Sequence, residues 1–109
     1  DSLARANKPQ EAILYGQQMI QKNPMFSASY YAVGTEYLVA HNLDSAIQYL
    51  EIANAMNPDN PDFLYALGVA YFEKGEEEIA FLNFRKIISS NLDSNLVRQL
   101  KLDYPELRR

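Results

Sequence analysis

Sliding the sequence against itself by 34 residues brings its most distinctive positions into register. Tyr31, Ala32, Gly34 and Tyr37 fall on Tyr65, Ala66, Gly68 and Tyr71, and Ala46 falls on Ala80. Asn57 and Asp59 fall on Asn91 and Asp93. One period earlier, Ala12, Ile13, Tyr15, Asn23 and Pro24 meet Ala46, Ile47, Tyr49, Asn57 and Pro58. The matches are glycines, small residues, aromatics and turn prolines, the types that mark structural positions. A fixed step of this size means that one supersecondary unit is copied, so the chain must fold as an array.

Each period reads helix, short turn, helix. From Ser27 to Ala40 apolar residues recur at helical spacing through Tyr30, Val33, Tyr37 and Ala40. "HNLD" makes a turn, and Ala46, Ile47, Leu50, Ala53 and Ala55 continue a second helix to Met56. "NPDNPD" is a strong break, with Asn60 as the expected N-cap and Pro61 at the first helical position. The next period predicts a helix from Pro61 to Lys74, a stop at Gly75 and a helix from Glu76 to about Ser90. Residues from about Asp93 to Tyr104 predict a further amphipathic helix through Leu96, Val97, Leu100 and Tyr104. Gly68 sits inside an apolar helical pattern, where glycine costs roughly 1 kcal/mol relative to alanine. A close approach of two helices, expected against Ala80, offsets that cost.

These residues resemble the tetratricopeptide repeat family, whose signature runs W-x2-L-G-x2-Y, then A-x3-F, then P. Leu64, Leu67, Gly68 and Tyr71 followed by Ala80 and Phe84 match it, as do Tyr30, Val33, Gly34 and Tyr37 followed by Ala46, Leu50 and Pro58. The resemblance implies an all-α fold: antiparallel helix–turn–helix repeats stacked as a short right-handed superhelical solenoid with a C-terminal capping helix. Residues 1–24 would be a partial N-terminal repeat, carrying the end of a first helix and a second helix from about Pro9 to Lys22. Residues 25–60 and 61–92 would be two full units, and 93–109 the capping helix and tail. The sequence departs from the pattern at Gly16, where the family places a large apolar residue, at Ile87 in place of alanine, and at Leu92 in place of proline. A generic helical bundle is the alternative fold, but it does not explain the fixed step.

In this family the first helices of successive units line a concave binding surface. Carried onto this sequence, the implied positions are Ala28, Tyr31, Thr35, Leu38 and Val39, then Asp62, Tyr65, Val69, Phe72 and Glu73. The partner-binding set expected from them is Tyr31, Thr35, Leu38, Tyr65, Val69 and Phe72. An aromatic and aliphatic surface of this kind suits an extended or helical peptide docking through apolar side chains. Tyr37 and Tyr71, at the signature position, read as packing residues. The C-terminal helix, or the tail "DYPELRR", is a competing occupant of the same surface. The carboxylate clamp of the family's chaperone-binding members is not expected, because Tyr31, Thr35, Tyr65 and Val69 stand where its basic residues and asparagines belong.

Charge and composition narrow the function classes further. The net charge of −4 lacks the basic footprint that nucleic acid requires. There is no cysteine, and His41 is the only histidine, so thiolate chemistry is absent and any His-based site rests on one residue. Between Asn23 and Glu73 there is no Lys or Arg, while Glu36, Asp44, Glu51, Asp59, Asp62 and Glu73 are present. This reads as solvated helix faces, or as an acidic middle that steers a basic partner. Glu76, Glu77 and Glu78 are consecutive on a helix and so point about 100° apart, which prevents convergence on one ligand. Acids in a first helical turn are favoured by the macrodipole. The "NPDNPD" acids lack the turn glycine and regular oxygens of a calcium loop and read as caps. No cofactor, metal or catalytic residue is expected, and the chain is read as not an enzyme.

The function expected is protein–protein interaction: a scaffold or adaptor holding a peptide or partner helix. The alternatives are a purely structural solenoid segment, the substrate-recognition part of a larger enzyme, or a chaperone for an apolar partner segment. Leu3, Ile13, Tyr15 and Met19 of the incomplete first repeat are expected to leave apolar surface open, which favours a homodimer at that end. The chain has no initial Met and reads as a piece of something longer. Cytoplasmic placement is the default and a periplasmic parent the alternative, since no signal-like or membrane-spanning run is seen.

Overall fold

Asn60 starts its helix as the sequence requires: its side chain accepts from the backbone N–H groups of Asp62 at 2.9 Å and Phe63 at 3.4 Å. Pro61 then occupies the first helical position, where its missing N–H costs nothing. In the computed structural model, which describes residues 2–90 and 93–108 (side chains from Lys8 onward), the helices are α1 (Ser2–Lys22), α2 (Ser27–Val39), α3 (Leu43–Met56), α4 (Pro61–Lys74), α5 (Glu77–Ser90) and α6 (Ser94–Asp103). A 3-10 turn at Pro105–Arg108 follows α6. Among the described residues there is no strand, and the fold is an all-α array of helical repeats.

The break expected near Pro9 is not made. α1 runs unbroken with Pro9 inside it. The residues ahead of Pro9, "SLARANK", are mostly strong helix formers and contain no glycine, so the proline is absorbed within the helix rather than ending one.

The turns inside the two hairpins, α2–α3 and α4–α5, are built alike, one repeat apart. At the end of α2 the N–H of His41 donates to Leu38 O and that of Asn42 to Tyr37 O, at 3.0 and 2.9 Å. At the end of α4 the N–H of Gly75 donates to Phe72 O and that of Glu76 to Tyr71 O, again at 3.0 and 2.9 Å. This pairing satisfies the last carbonyls of each helix and needs a left-handed residue at its centre. Gly75 supplies it with φ 94°, and His41 supplies it with φ 61°. Asn42 and Asp93 cap the helices that follow, accepting from the N–H of Ser45 and of Leu96.

The chain divides into two units, Asp1–Asn57 and Pro58–Arg109. In the first, α2 packs against both α1 and α3. A Cβ added at Gly34 would lie 2.7 Å from Leu50 Cγ, so the glycine is what lets α2 and α3 approach. Val33, Ala46, Leu50 and Ala53 form the fully buried seam. Gly16 does the same work between α1 and α2, because a Cβ there would run into Val33 Cγ2. Tyr37 stacks on Tyr49 with centroids 5.6 Å apart, and Gln17 Nε2 donates to Tyr49 Oη at 3.3 Å. Asn57 Nδ2 donates to Ser27 Oγ at 3.1 Å, tying the end of α3 to the start of α2.

In the second unit the close approach of α4 and α5 is Gly68 against the ring of Phe84. A Cβ at Gly68 would stand 2.6 Å from Phe84 Cδ1. The glycine therefore accommodates the Phe84 ring, and Ala80, the expected partner, is fully buried in the same core. Leu64, Ala80, Phe84 and Ile87 are joined in this core by Leu100 of α6 and by Leu107 of the 3-10 turn. Glu76, Glu77 and Glu78 are all exposed; Glu77 and Glu78 lie in the first turn of α5, where the helix dipole favours them.

Candidate partner-binding faces

Tyr31, Thr35 and Leu38 follow each other along α2 at the spacing that puts three residues on one helical face. All three are half-buried, and Val39 beside them is 65% exposed. The Thr35 hydroxyl donates to Ala32 O at 2.9 Å, so its side chain is turned to its own helix. Ala28 is exposed at the start of the same helix. α2 carries one charged residue, Glu36, and the surface it offers is apolar with a few hydroxyls.

Tyr65, Val69 and Phe72 repeat this arrangement along α4, flanked by exposed Asp62 and Glu73. Their surroundings differ. Each packs against the buried cluster of the second unit. Tyr65 meets Phe84 at 6.1 Å between centroids, and Phe72 meets Phe81 at 6.0 Å. Tyr104, from just beyond α6, sets its ring edge-on to Phe72 at 5.0 Å and lies 4.7 Å from Phe84. Burial raises the pKa of the Tyr104 phenol, with smaller contributions in the same direction from Tyr65, Asp103 and Glu73. Two of those neighbours, Tyr65 and Glu73, sit on α4.

The six expected residues thus form two triplets, each within its own unit. The sequence named the tail "DYPELRR" as a competing occupant of this surface but did not single out Tyr104, Leu107 or Phe81 as members of the cluster packed with it. The signal available was the apolar pair Tyr104 and Leu107 within "DYPELRR", otherwise polar apart from Pro105.

A second apolar feature lies in the first unit. A cleft of about 300 Å³ opens between α1 and α2, lined by Tyr15, Gly16 and Met19 on one side and Phe26, Ser29 and Ala32 on the other. Tyr15 is 67% and Phe26 52% exposed. Of the residues expected to leave apolar surface here, Tyr15 and Met19 line the cleft. Ile13 is only 8% exposed and belongs to the core instead, while the Leu3 side chain lies outside the described residues. His41 is exposed in its turn, and among the described residues no group of His, Cys, Asp or Glu is arranged to hold a metal ion. No helix among them is long and apolar enough to cross a membrane.

Comparison with known proteins agrees with this geometry. The tetratricopeptide repeat model matches residues 31–88, which span both helical hairpins, α2–α3 and α4–α5. The crystal structure of MamA superposes with a TM-score of 0.76 at 26% identity; it covers 92% of this chain, which in turn spans 60% of the MamA chain. The type III secretion translocator chaperone SycD of Yersinia enterocolitica, solved as an alternative dimer, has a TM-score of 0.68 at 20% identity. That match covers 94% of this chain and 86% of SycD, and at this identity it speaks for the fold. No curated protein matches the chain by sequence.

Proposed function

We propose that the chain, which belongs to the tetratricopeptide repeat family, receives a peptide or partner helix on apolar helix faces, Tyr31, Thr35 and Leu38 of α2 offering one in the first unit and Tyr65, Val69 and Phe72 of α4 one in the second. Repeats of this family are protein-interaction modules, so the class of activity follows from membership. The observation that carries the finer reading is the chemistry of α2. Its exposed side is apolar and aromatic, with no Lys or Arg, which favours a partner that docks through hydrophobic side chains. Tyrosine suits such a face because its ring gives contact area while its hydroxyl can bond a peptide backbone.

The test is a set of peptides selected by display on the intact chain, with affinities measured for wild type, Tyr31→Ala and Tyr65→Ala. Loss of about 1–3 kcal/mol of binding at Tyr31, with helical content unchanged, is the expected result. Undiminished affinity in both variants would remove these faces as the binding surface.

Self-association is a second reading, favoured by the open α1–α2 cleft and the exposed Tyr15 and Phe26 that line it. Sedimentation velocity should show a monomer–dimer equilibrium that Tyr15→Glu and Phe26→Glu shift toward monomer. A wild-type chain that stays monomeric at high concentration rules the dimer out.

A further inference from the structure

In the second unit Tyr104 of the chain itself already lies against Phe72 of the α4 face. Among the described residues beyond α6, two side chains turn inward. Tyr104 lies among Phe72, Phe81 and Phe84, with centroids 5.0, 6.2 and 4.7 Å away, and Leu107 is 5% exposed in the same cluster. Asp103, Pro105, Glu106 and Arg108 around them are exposed. The spacing is held by a single 3-10 turn, closed by Leu107 N–H donating to Tyr104 O at 2.9 Å. Arg108 Nε donates to Lys101 O at 3.0 Å and ties the turn back to α6.

We infer that Tyr104 and Leu107 are a resident ligand of the α4–α5 face. The partner of that face is then a peptide segment that presents an aromatic ring and, three residues later, an aliphatic side chain, and it enters by displacing them. The inference rests on the reading of α4 as a partner-receiving face, and it adds what that face accepts and what holds it shut. The physical grounds are local. The α4–α5 hairpin keeps Leu64, Ala80, Phe84 and Ile87, and α6 keeps Leu100, whether or not Tyr104 and Leu107 are seated. A four-residue 3-10 turn has poor hydrogen-bond geometry and little cooperativity of its own, so releasing it opens no helix. A segment tethered this closely acts at an effective concentration of the order of millimolar, so a free peptide making only the same two contacts competes weakly. A longer partner that adds contacts along α4 competes well.

The experiment uses the full chain. Tyr104→Ala with Leu107→Ala opens the face, and Leu107→Ala alone is a milder opening in case the pair unfolds; circular dichroism checks both. A labelled peptide of residues 102–108 is titrated against each. At least tenfold tighter binding to an opened chain than to wild type, lost again when Phe72→Ala is added, is the expected result. Equal binding to wild type and opened chain, or none to a folded opened chain, overturns the inference. Display-selected peptides separate that failure from failure of the face. If they lose affinity with Tyr65→Ala and Phe72→Ala while the tail peptide does not bind, only the resident ligand is wrong. If they ignore both substitutions, the reading of the face falls and takes the inference with it.

Discussion

The two units contain the same hairpin and finish it differently. α2–α3 and α4–α5 share their turn bonding, their helix lengths to within a residue and a glycine facing a large side chain. In the first unit that side chain is Leu50, an aliphatic chain with several rotamers; in the second it is Phe84, a flat ring held against Tyr104 and near Tyr65. The second unit then closes its outer side with α6 and the following turn, while the first leaves a cleft beside α1. The difference teaches that the repeat signature specifies the hairpin, and the flanking segments decide which of its faces stay available.

The largest test of that contrast is in the cores. Phe84→Ala should destabilise the second unit by about 3–5 kcal/mol, because it removes a fully buried ring that also supports Tyr65, Phe81 and Tyr104. Chemical denaturation followed by tyrosine fluorescence measures it, and a cost near that of an exposed residue would deny the cluster its central role.

Next comes the glycine pair. Gly68→Ala pushes a methyl group into the Phe84 ring and should cost about 1–3 kcal/mol. Gly34→Ala meets Leu50 Cγ and Cδ2, which a rotamer change can relieve, together with its backbone N at 3.2 Å, and should cost less. Equal costs would break the distinction between ring and chain.

The turns should differ with the opposite sign. His41 holds a left-handed backbone that its counterpart Gly75 adopts without strain. A side chain in that region costs about 1–2 kcal/mol, partly offset by the greater unfolded-state entropy of glycine. His41→Gly should therefore raise stability by about 0.5 kcal/mol, visible as a small increase in Tm. A decrease would mean that the His41 side chain contributes contacts of its own.

The smallest effect is in pH. The Tyr104 pKa is raised above the ordinary tyrosine value of 10.0, mainly by burial and then by Tyr65, Asp103 and Glu73. A raised folded-state value means that its stabilisation is complete below pH 10.0 and is lost as pH rises through the higher folded value. Wild type should lose stability in that range more than Tyr104→Phe does, and identical pH profiles would place the phenol outside the cluster.

Much of this was legible in the sequence because the repeat step fixes structural positions directly. The bounds of α4, the Asn60 cap, the Gly75 stop and the packing roles of Tyr37 and Tyr71 follow from residue types with strong local preferences. That the Phe84 ring supplies the atoms nearest Gly68 did not follow, because it depends on where a ring four residues past Ala80 turns, which spacing alone does not determine. α1 crossed Pro9 because neighbouring helix formers outweighed a single breaker. The α4 triplet was read as a surface for which the tail "DYPELRR" competes, without the individual tail residues that reach it. Tyr104, which meets Phe72, and Leu107, which joins the same buried cluster, carry no repeat counterpart and arrive only through tertiary packing.

The matched turns also have a kinetic meaning. Gly34 and Leu50, like Gly68 and Phe84, lie less than one repeat apart along the chain, joined by a break of only a few residues. Loops of about ten residues close in roughly 10–100 ns, and chains dominated by such local pairings fold on the microsecond-to-millisecond scale. Either hairpin can then nucleate first. The Tyr104–Leu107 closure, which needs a finished α4–α5 surface to land on, forms last and should be the first part of the chain to exchange its amide hydrogens.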